Sequence, residues 1–438
     1  MGGPLNGWRL GRRAWLLGVT SAGAAQALGR IPYAGRLALS LPWPLDGIDP
    51  HEIDDPAAAL FAAAIADPLY ALDTHGRPYP ALAAGLPERT PKGTRVALRP
   101  LMSTARGRGL DARDLVWSLR RSAARGGLAL LSPFGRPVRD PGNPLAVLVP
   151  GADPHALARA LSSPITALLP RAFSPSAPDG TGAFRATPRR QSLTLVRNLH
   201  AARGAAFLDR IRAARAADLA SALRAFEAGE ADVGWLGRGL HRPRAGAVDF
   251  DAGPFGWVVL RTGRDAGSWG APGVAQGLLD AVPPSRLAYL GLHGLTSPDG
   301  SYAWGGAPAD LLVRDDAPHL VEIARALAAL LSRPGHEVRP VPQAWGALRR
   351  RRAGRQFSLM LDFVRPIGPP GKATLLSLLT AADAALARHP PRLSTFDPRD
   401  IARTLALGVV GELRIAGAHM PGIHGLERWN LGAVWRPG

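Results

Sequence analysis

Apolar residues recur with two different periods along the chain, and each period predicts a different element. Residues 36–43, RLALSLPW, alternate apolar and polar positions, which is typical of a strand. Farther on, Leu219, Leu223 and Phe226 are spaced at i, i+4 and i+7, so we predict a helix with one buried face. Gly229 follows this pattern and is expected to end the helix, because glycine tolerates the left-handed conformation found there.

Two aspartates mark the expected starts of other helices. Asp55 precedes Pro56 at the head of an alanine-rich stretch, and proline suits the first turn of a helix. Asp111 is followed three residues later by Asp114, an arrangement close to a capping box. An apolar run at residues 255–263 predicts another strand. Because helical patterns of about 10 to 15 residues alternate with short strands, the sequence predicts an α/β architecture.

The N-terminal residues have the pattern of an export signal. Arg12 and Arg13 precede a short and weakly apolar stretch, residues 14–29. The adjacent arginines resemble the twin-arginine export motif, and the sequence AQA at residues 25–27 offers a small-x-small cleavage site. We predict a removable signal peptide at residues 1–27, the alternative being a frayed amphipathic helix. The stretch is too short and too weakly apolar to predict a membrane anchor.

The charge balance is strongly basic, but the basic residues are scattered. Lys and Arg total 53 against 34 Asp and Glu, which gives a formal net charge of +19. Only Lys92 and Lys372 are lysines, and much of the arginine excess matches the general bias towards Arg, Ala, Gly and Pro. A nucleic-acid site needs basic residues on one element, interleaved with aromatic residues, so we expect no nucleic-acid partner. The one dense run, residues 349–352, is interpreted as a solvated helix face or loop.

Catalytic and metal-binding motifs are scarce. The absence of cysteine excludes thiol catalysis, cysteine-based zinc sites, disulfides and a lipid anchor on cysteine. No nucleophile elbow or phosphate-binding loop occurs, so we expect neither enzyme activity nor a cofactor. His51, Glu52, Asp54 and Asp55 form a cluster of metal-ligating residue types. Because they precede a predicted helix, capping of that helix is the simpler interpretation.

Two tryptophans are candidate ligand contacts. Trp235 and Trp257 each lie beside glycine at the expected end of a strand, where side chains in open α/β sheets face a cleft. Flat aromatic side chains in such places often stack on ligands. Packing in the core remains the alternative for both.

Several stretches, in the same order along the chain, resemble family 5 of the extracellular solute-binding proteins, the peptide- and nickel-type binding proteins of ABC importers. Residues 48–86 are similar to the family's opening segment, with its LDP and P-x-LA motifs. VALRP followed by LDARDLVWSLRR is similar to "LR… tA-DV-wSl-R", and GTGAF to "GTGPY". FEAGEADVGWL matches "l-sGeiDv", and the C-terminal WNLGAVW resembles the closing strand of the family.

The resemblance implies an α/β, two-lobed periplasmic-binding-protein-like fold of type II with an early inserted subdomain. Its first lobe would comprise residues 36–50, 171–254 and 416–438, with the subdomain at 51–170 and the second lobe at 255–415. The implied function is capture of a peptide or peptide-like solute between the lobes and delivery to permease subunits in the inner membrane. The implied protein is a periplasmic monomer that makes and breaks no bond.

Site residues carry over only where the motifs match. In oligopeptide binders, the segment after LDP lends backbone and an acidic side chain to the peptide, and the residues after "sGeiDv" line the cleft. The strand that crosses to the second lobe lies nearby. The ligand-binding residues implied in this sequence are Asp54, Asp55, Trp235, Leu236, Gly237, Phe255 and Trp257.

The sequence departs from the family pattern at LDFVRPIGPP, residues 361–370. Peptide-binding relatives have "W-x-x-D-Y-x-D-P" there, and the aspartate pairs with the free amino group of the peptide. Here Phe363 replaces the tryptophan, and Pro366, next to Arg365, replaces the aspartate. A cation at this point repels an ammonium group and attracts an anion. We therefore expect a modified peptide or another anionic or amphipathic solute, with Asp362, Phe363 and Arg365 in the site.

Two alternatives remain at this stage. A metal or metallophore carrier of the same fold would require His51, His241 or His424 to converge. A paralogue that has lost transport and acts as a sensor would keep the fold without the permease.

Overall fold

The computed structural model describes residues 33–235, 244–294, 303–368, 372–391 and 396–436. The expected signal peptide, residues 1–27, lies outside these ranges. Within them, no helix has both the length and the apolar character needed to cross a membrane.

The described residues alternate strands and helices, as the sequence predicts. The strands are β1 (Arg36–Leu41), β2 (Tyr70–Leu72), β3 (Pro78–Pro80), β4 (Glu88–Thr90), β5 (Gly93–Ala97), β6 (Val138–Arg139), β7 (Ala146–Val149), β8 (Phe184–Arg189), β9 (Ser192–Arg197), β10 (Arg210–Arg215), β11 (Val233–Trp235), β12 (Val248–Thr262), β13 (Ala309–Arg314), β14 (Val338–Gln343), β15 (Leu359–Val364) and β16 (Leu407–His419). The α-helices are α1 (Pro56–Ile65), α2 (Ala112–Arg125), α3 (Leu128–Leu131), α4 (Pro154–Ala160), α5 (Leu219–Glu227), α6 (Val274–Asp280), α7 (Pro318–Leu331), α8 (Trp345–Gly354), α9 (Lys372–Ala382), α10 (Ala384–Arg388) and α11 (Pro398–Ala402).

Ten strands form one mixed sheet in the order β14-β13-β15-β12-β16-β11-β1-β10-β9-β8. The two long strands β12 and β16 run antiparallel at its centre and join its two halves. We call the half built on β11, β1, β10, β9 and β8 the first lobe, and the half built on β15, β13 and β14 the second lobe. Any group held at the centre of this sheet is therefore within reach of both lobes.

Local sequence signals explain several helix ends. The side chain of Asp55 caps α1 by accepting the N–H of Ala57 at 2.8 Å, with Pro56 in the first turn. Asp111 and Asp114 form the full capping box of α2. Both predictions are confirmed.

The helix predicted from apolar spacing is α5. Leu219, Leu223 and Phe226 are buried on one face of it, and Gly229 follows with a φ of +86°. Only glycine adopts this φ without steric cost, which ends the helix.

A second, four-stranded sheet in the order β4-β5-β7-β6 has its own apolar core, to which α2 and α4 contribute. Leu115 and Leu119 of α2 pack in this core against Val147 and Leu157. This smaller unit lies between β1 and β8 in the sequence, where the early inserted subdomain is expected.

Two expected strands differ from the structure. The strand expected at residues 255–263 begins earlier, at Val248, because it spans both lobes as β12. The C-terminal WNLGAVW is not a strand: Trp429 has a φ of +47°, and its indole N–H donates to the carbonyl of Leu60 over 2.9 Å. That anchor folds the segment as turns on α1, and only Trp435 makes an isolated bridge, with His424.

Candidate functional site

The segment 49–55, between β1 and α1, carries four acidic residues in a largely buried environment. Asp49 accepts two hydrogen bonds from Arg121 of α2, at 2.7 and 2.5 Å, and one from Arg125 at 3.3 Å. Burial raises the pKa of Asp49, but the hydrogen bonds and charge of Arg121 outweigh it, so the net pKa lies below its usual value. This carboxylate therefore fixes the segment to the subdomain helix.

Helix α8 of the second lobe approaches the same segment with arginines. Arg349 donates to Glu52 at 3.0 Å, and Arg352 forms an ion pair with Asp54. Burial and the neighbouring charge of Asp54 raise the pKa of Glu52, while Arg349 opposes this shift. The interpretation of residues 349–352 as a solvated face is therefore wrong for two of the four arginines, because α8 turns Arg349 and Arg352 towards buried carboxylates.

Asp362 of β15 is the carboxylate at the centre of the second lobe. It is 1% exposed and accepts hydrogen bonds from Arg352 at 2.8 Å and Arg261 at 3.0 Å. Burial alone would raise its pKa, but the charges of Arg352 and Arg261 lower it. Asp54 and Asp362, both expected in the site, thus meet at one guanidinium group.

Arg365 joins the second lobe to the segment 49–55 through its backbone and its side chain. Its backbone N–H donates to the carbonyl of Ile53 at 2.8 Å, and its guanidinium donates to the carbonyl of Pro50 at 3.4 Å. The residue is 3% exposed and forms no ion pair with a carboxylate of the described residues. Burial lowers its pKa to about 10, although the charges of Asp55 and Asp49 act the other way. Arg365 is a buried cation without a counter-charge of its own.

A cavity of about 310 Å³ adjoins Arg365. Its walls come from α1, from the loop at Ser162 and Pro164, from Phe255 of β12 and Ile415 of β16, and from the chain after β15. The cavity therefore touches α1 and the loop at Ser162 on one side, the second lobe on the other, and both crossing strands. Its lining is mainly apolar, and Arg365 is its charged group.

An aromatic cluster of Trp43, Trp235, Phe255 and Phe363 lies where the two lobes meet. Phe255 stacks edge-on against Trp235 and Trp43, with ring centroids 5.1 and 5.7 Å apart, and lies 5.2 Å from Phe363. A Cβ at Gly256 would lie 2.3 Å from a ring carbon of Phe363, so only glycine allows this approach. The indole N–H groups of Trp43 and Trp235 have no acceptor among the described residues.

The structure separates Trp257 from this cluster. Its side chain packs with Val259 and Val364 on the opposite side of the sheet from Phe255. The reason is a register shift between Pro254 and Gly256, which changes the face that the following residues occupy. The expectation that Trp257 lies at a strand end is wrong, since it is inside β12, whereas Trp235 ends β11.

Of the three other expected site residues, the structure describes only Asp55. Asp55 caps α1 and accepts the backbone N–H of Asp49 at 3.1 Å. Burial raises the pKa of Asp55 to about 6, and the charge of Arg314 opposes that shift. Leu236 and Gly237 lie outside the described residues.

A second cavity, of about 360 Å³, borders Ile53 and Asp54. Arg261, Arg349 and Arg352 line it together with the end of α9. Ile53 thus borders one cavity, and Arg365, to which it is hydrogen-bonded, borders the other.

The histidines do not form a metal site in the described part of the chain. The imidazole of His51 bonds the carbonyl of Ala167 at 2.8 Å, and His424 stacks on Trp435. His241 lies outside the described residues. In the ranges described, no three His, Asp or Glu side chains are placed to hold a metal ion.

We predict a loss of stability in acid from two buried histidines. Burial lowers the pKa of His51 and His319 to about 4, from an ordinary value of 6.5. The unfolded chain binds these protons first, so the free energy of unfolding falls as the pH drops from 6.5 towards 4, by up to about 3 kcal/mol for each histidine. Urea unfolding at about pH 7 and pH 4.5 measures this. Replacing both histidines with Gln should reduce the difference between the free energies of unfolding at the two pH values. An equally large difference would contradict the assignment of this acid sensitivity to the two histidines.

Sequence reasoning missed Trp43 and the arginines that pair with the buried carboxylates of the segment 49–55 and of β15. Arg349 and Arg352 had a usable signal, because a spacing of three places both on one helix face. Arg121, Arg125 and Arg261 had none, since their partners are distant in sequence.

The fold matches solved structures of binding proteins. AppA, the oligopeptide-binding protein of Bacillus subtilis solved with a nonapeptide, has a TM-score of 0.68 at 14% identity, over 93% of this chain and 100% of that one. The PBP AgaA of A. tumefaciens R10, solved with agropinic acid, has 0.66 at 16%, over 92% and 99%. The ABC transporter-associated periplasmic binding protein DppA of Helicobacter pylori, solved with the peptide STSA, has 0.67 at 14%, over 94% and 100%.

These matches define the fold class, the two-lobed periplasmic-binding-protein fold. No family model matches the sequence, and no curated protein does. The similarity is therefore one of structure at low sequence identity.

Proposed function

We propose that this protein is the substrate-binding component of an ABC importer. It captures a peptide or peptide-like solute between its lobes and delivers the solute to permease subunits in the inner membrane. The observation that carries the proposal is the buried, unpaired Arg365 beside a cavity that touches α1, both crossing strands and the second lobe. The peptide complexes of AppA and DppA, which share the fold, support it.

The proposal includes the domain division implied by the sequence. Residues 36–50, 171–254 and 416–438 would form the first lobe, 51–170 its subdomain and 255–415 the second lobe. The supporting feature is that β12 and β16 run across both boundaries between the lobes. Export by residues 1–27 and a monomer in the periplasm complete the proposal.

Binding and closure follow from the position of the cavity. A solute there contacts α1, the crossing strands and the chain after β15 at once, so the closed state gains contacts that an open state lacks. The guanidinium of Arg365 binds a carboxylate or another anionic group of the solute. The side chain of Phe255 and the apolar wall of α1 contact its apolar part.

An extended peptide backbone has less room at this point than the resemblance implies. Pairing with the peptide would use the carbonyl of Ile53, but the N–H of Arg365 already occupies that carbonyl. The proline at position 56 also offers no N–H. These contacts favour a short or modified peptide with an anionic group over a long peptide with a free amine.

A second candidate is an anionic solute that is not a peptide. Arg365 favours any carboxylate of suitable size, and AgaA, solved with agropinic acid, has the same fold. Both candidates share the anionic group, so one experiment addresses them together.

The test uses three probes of similar size and different charge. Acetyl-alanyl-alanine is anionic, alanyl-alanine is zwitterionic and alanyl-alanine amide is cationic. We expect the affinity measured by titration calorimetry to fall in that order. We also expect the radius of gyration of the protein to decrease on binding. Preference for the cationic probe would overturn the assignment of Arg365, and binding without compaction would contradict capture between lobes.

A further inference from the structure

One guanidinium joins the lobes at the centre of the ion-pair network. Arg352 of α8 donates to Asp54 of the segment 49–55 and to Asp362 of β15. The indole of Trp345 lies 5.3 Å from the same guanidinium. Two carboxylates and an aromatic face are the groups with which proteins bind the guanidinium or ammonium of a solute. Here the cation belongs to the protein.

Arg352 supplies charge that this place requires. Asp54 and Asp362 are each 1% exposed, and Asp54 has no other ion pair among the described residues. Without Arg352, Arg261 would remain bound to Asp362, and Arg314 would still donate to the backbone carbonyl of Asp54. A buried carboxylate without a partner is strongly unfavourable. Removal of the side chain would therefore leave a vacant, negatively charged subsite of guanidinium size.

The formal charges of the whole network leave one cation over. Seven arginines and six carboxylates contact the segment 49–55 or one another. They are Arg121, Arg125, Arg261, Arg314, Arg349, Arg352 and Arg365, with Asp49, Glu52, Asp54, Asp55, Asp316 and Asp362. Arg352 is the member that neutralises one carboxylate from each side of the interface, and Arg365 forms no ion pair with any of the six carboxylates.

We propose that Arg352 is a specificity-determining residue. Its guanidinium fills a cation-binding subsite on the wall of the cavity of about 360 Å³, so a cationic group of a solute in that cavity meets a protein cation in place of two free carboxylates. The part of this inference that concerns solutes rests on the proposed function. The occupied cation subsite itself stands on the contacts of Arg352 alone.

Chemical rescue tests the subsite. We expect Arg352→Ala to lower the melting temperature, and millimolar methylguanidinium at constant ionic strength to restore part of the loss with a saturable dependence. Wild type and Arg350→Ala, which removes an exposed arginine of the same run, should show no such response. The double variant Arg352→Ala with Asp54→Asn should need at least about ten-fold more methylguanidinium, because one of the two carboxylates is gone. A folded Arg352→Ala that does not respond, or a double variant that responds equally, overturns the proposal.

If Arg352→Ala does not fold, the same rescue is measured on Arg352→Gln, which keeps an N–H donor while it removes the charge and shortens the side chain. If neither folds, the yield of refolded protein with methylguanidinium, compared with tetramethylammonium chloride, decides the question. No increase would overturn the proposal.

Selectivity provides the second readout. In Arg352→Ala, the ratio of affinities for alanyl-alanine amide and acetyl-alanyl-alanine should shift by at least about ten-fold towards the cationic probe. Rescue without this shift would leave the subsite intact and contradict its role in selectivity. If wild type binds none of the probes but methylguanidinium restores Arg352→Ala, the result contradicts the proposed function and supports the occupied subsite.

Discussion

Replacing Arg365 with methionine is expected to abolish binding of the anionic solute and to stabilise the fold. Arg365 is 3% exposed, lacks a carboxylate partner among the described residues and has a pKa lowered by burial. Methionine fills a similar volume and removes the cost of the buried charge, so the free energy of unfolding should rise by about 1–3 kcal/mol. Loss of a charged contact in a closed site should weaken binding of acetyl-alanyl-alanine at least about 100-fold. Titration calorimetry and urea unfolding measure the two effects.

Arg350→Met provides the matched control, because Arg350 is exposed on the neighbouring helix α8. It should leave both quantities nearly unchanged. A large loss of stability in Arg365→Met with unchanged binding would mean that Arg365 is structural, and the solute site would have to lie elsewhere.

The largest loss of stability is expected from Asp49→Ala. Asp49 is 3% exposed and accepts hydrogen bonds from Arg121, Arg125 and the N–H of His51. Its removal leaves the Arg121 side chain, which is only 12% exposed, without its carboxylate. The free energy of unfolding should fall by about 3–5 kcal/mol in urea titrations.

Asp249→Ala, on an exposed position of β12, should cost no more than about 0.5 kcal/mol. The double variant Asp49→Ala with Arg121→Ala should recover part of the loss, because the unpaired cation is also gone. Strictly additive losses would argue against a coupled buried pair.

Buried arginines have two opposite roles at the interface between the lobes. Arg121 and Arg352 have carboxylate partners and hold the segment 49–55 against its neighbours. Arg365 forms no ion pair among the described residues and borders a cavity. In a protein that closes over a solute, the unpaired cation is where solute charge changes the energy of the closed state most.

Local features of the fold were predictable because the interactions that produce them are local. The cap at Asp111 and the buried face of α5 depend on residues within one or two helical turns. The alternation in β1 likewise reflects one face of a strand. The end of the chain was not predictable in this way, because Trp429 is held by a hydrogen bond to Leu60.

The candidate site was predictable in part. The resemblance grouped Asp54, Asp362, Phe363 and Arg365. The structure joins Asp54 and Asp362 through Arg352. Phe363 packs with Phe255 on the other face of the sheet, and Arg365 contacts the carbonyl of Ile53. The partner of Asp54 was not predictable, because Arg352 is far away in sequence and sits within a run of four similar residues. The face occupied by Trp257 depends on a register shift that no periodicity in the sequence indicates.

The measurement that tests the account most directly is the charge of the solute that the protein retains. The protein is purified without refolding from a periplasmic extract and then denatured, and the released small molecules are identified by mass spectrometry. We predict an anionic peptide-like or other carboxylate-bearing solute in near-stoichiometric amount, absent from Arg365→Met prepared in the same way. A cationic solute, or equal retention of the same solute by Arg365→Met, would contradict the account.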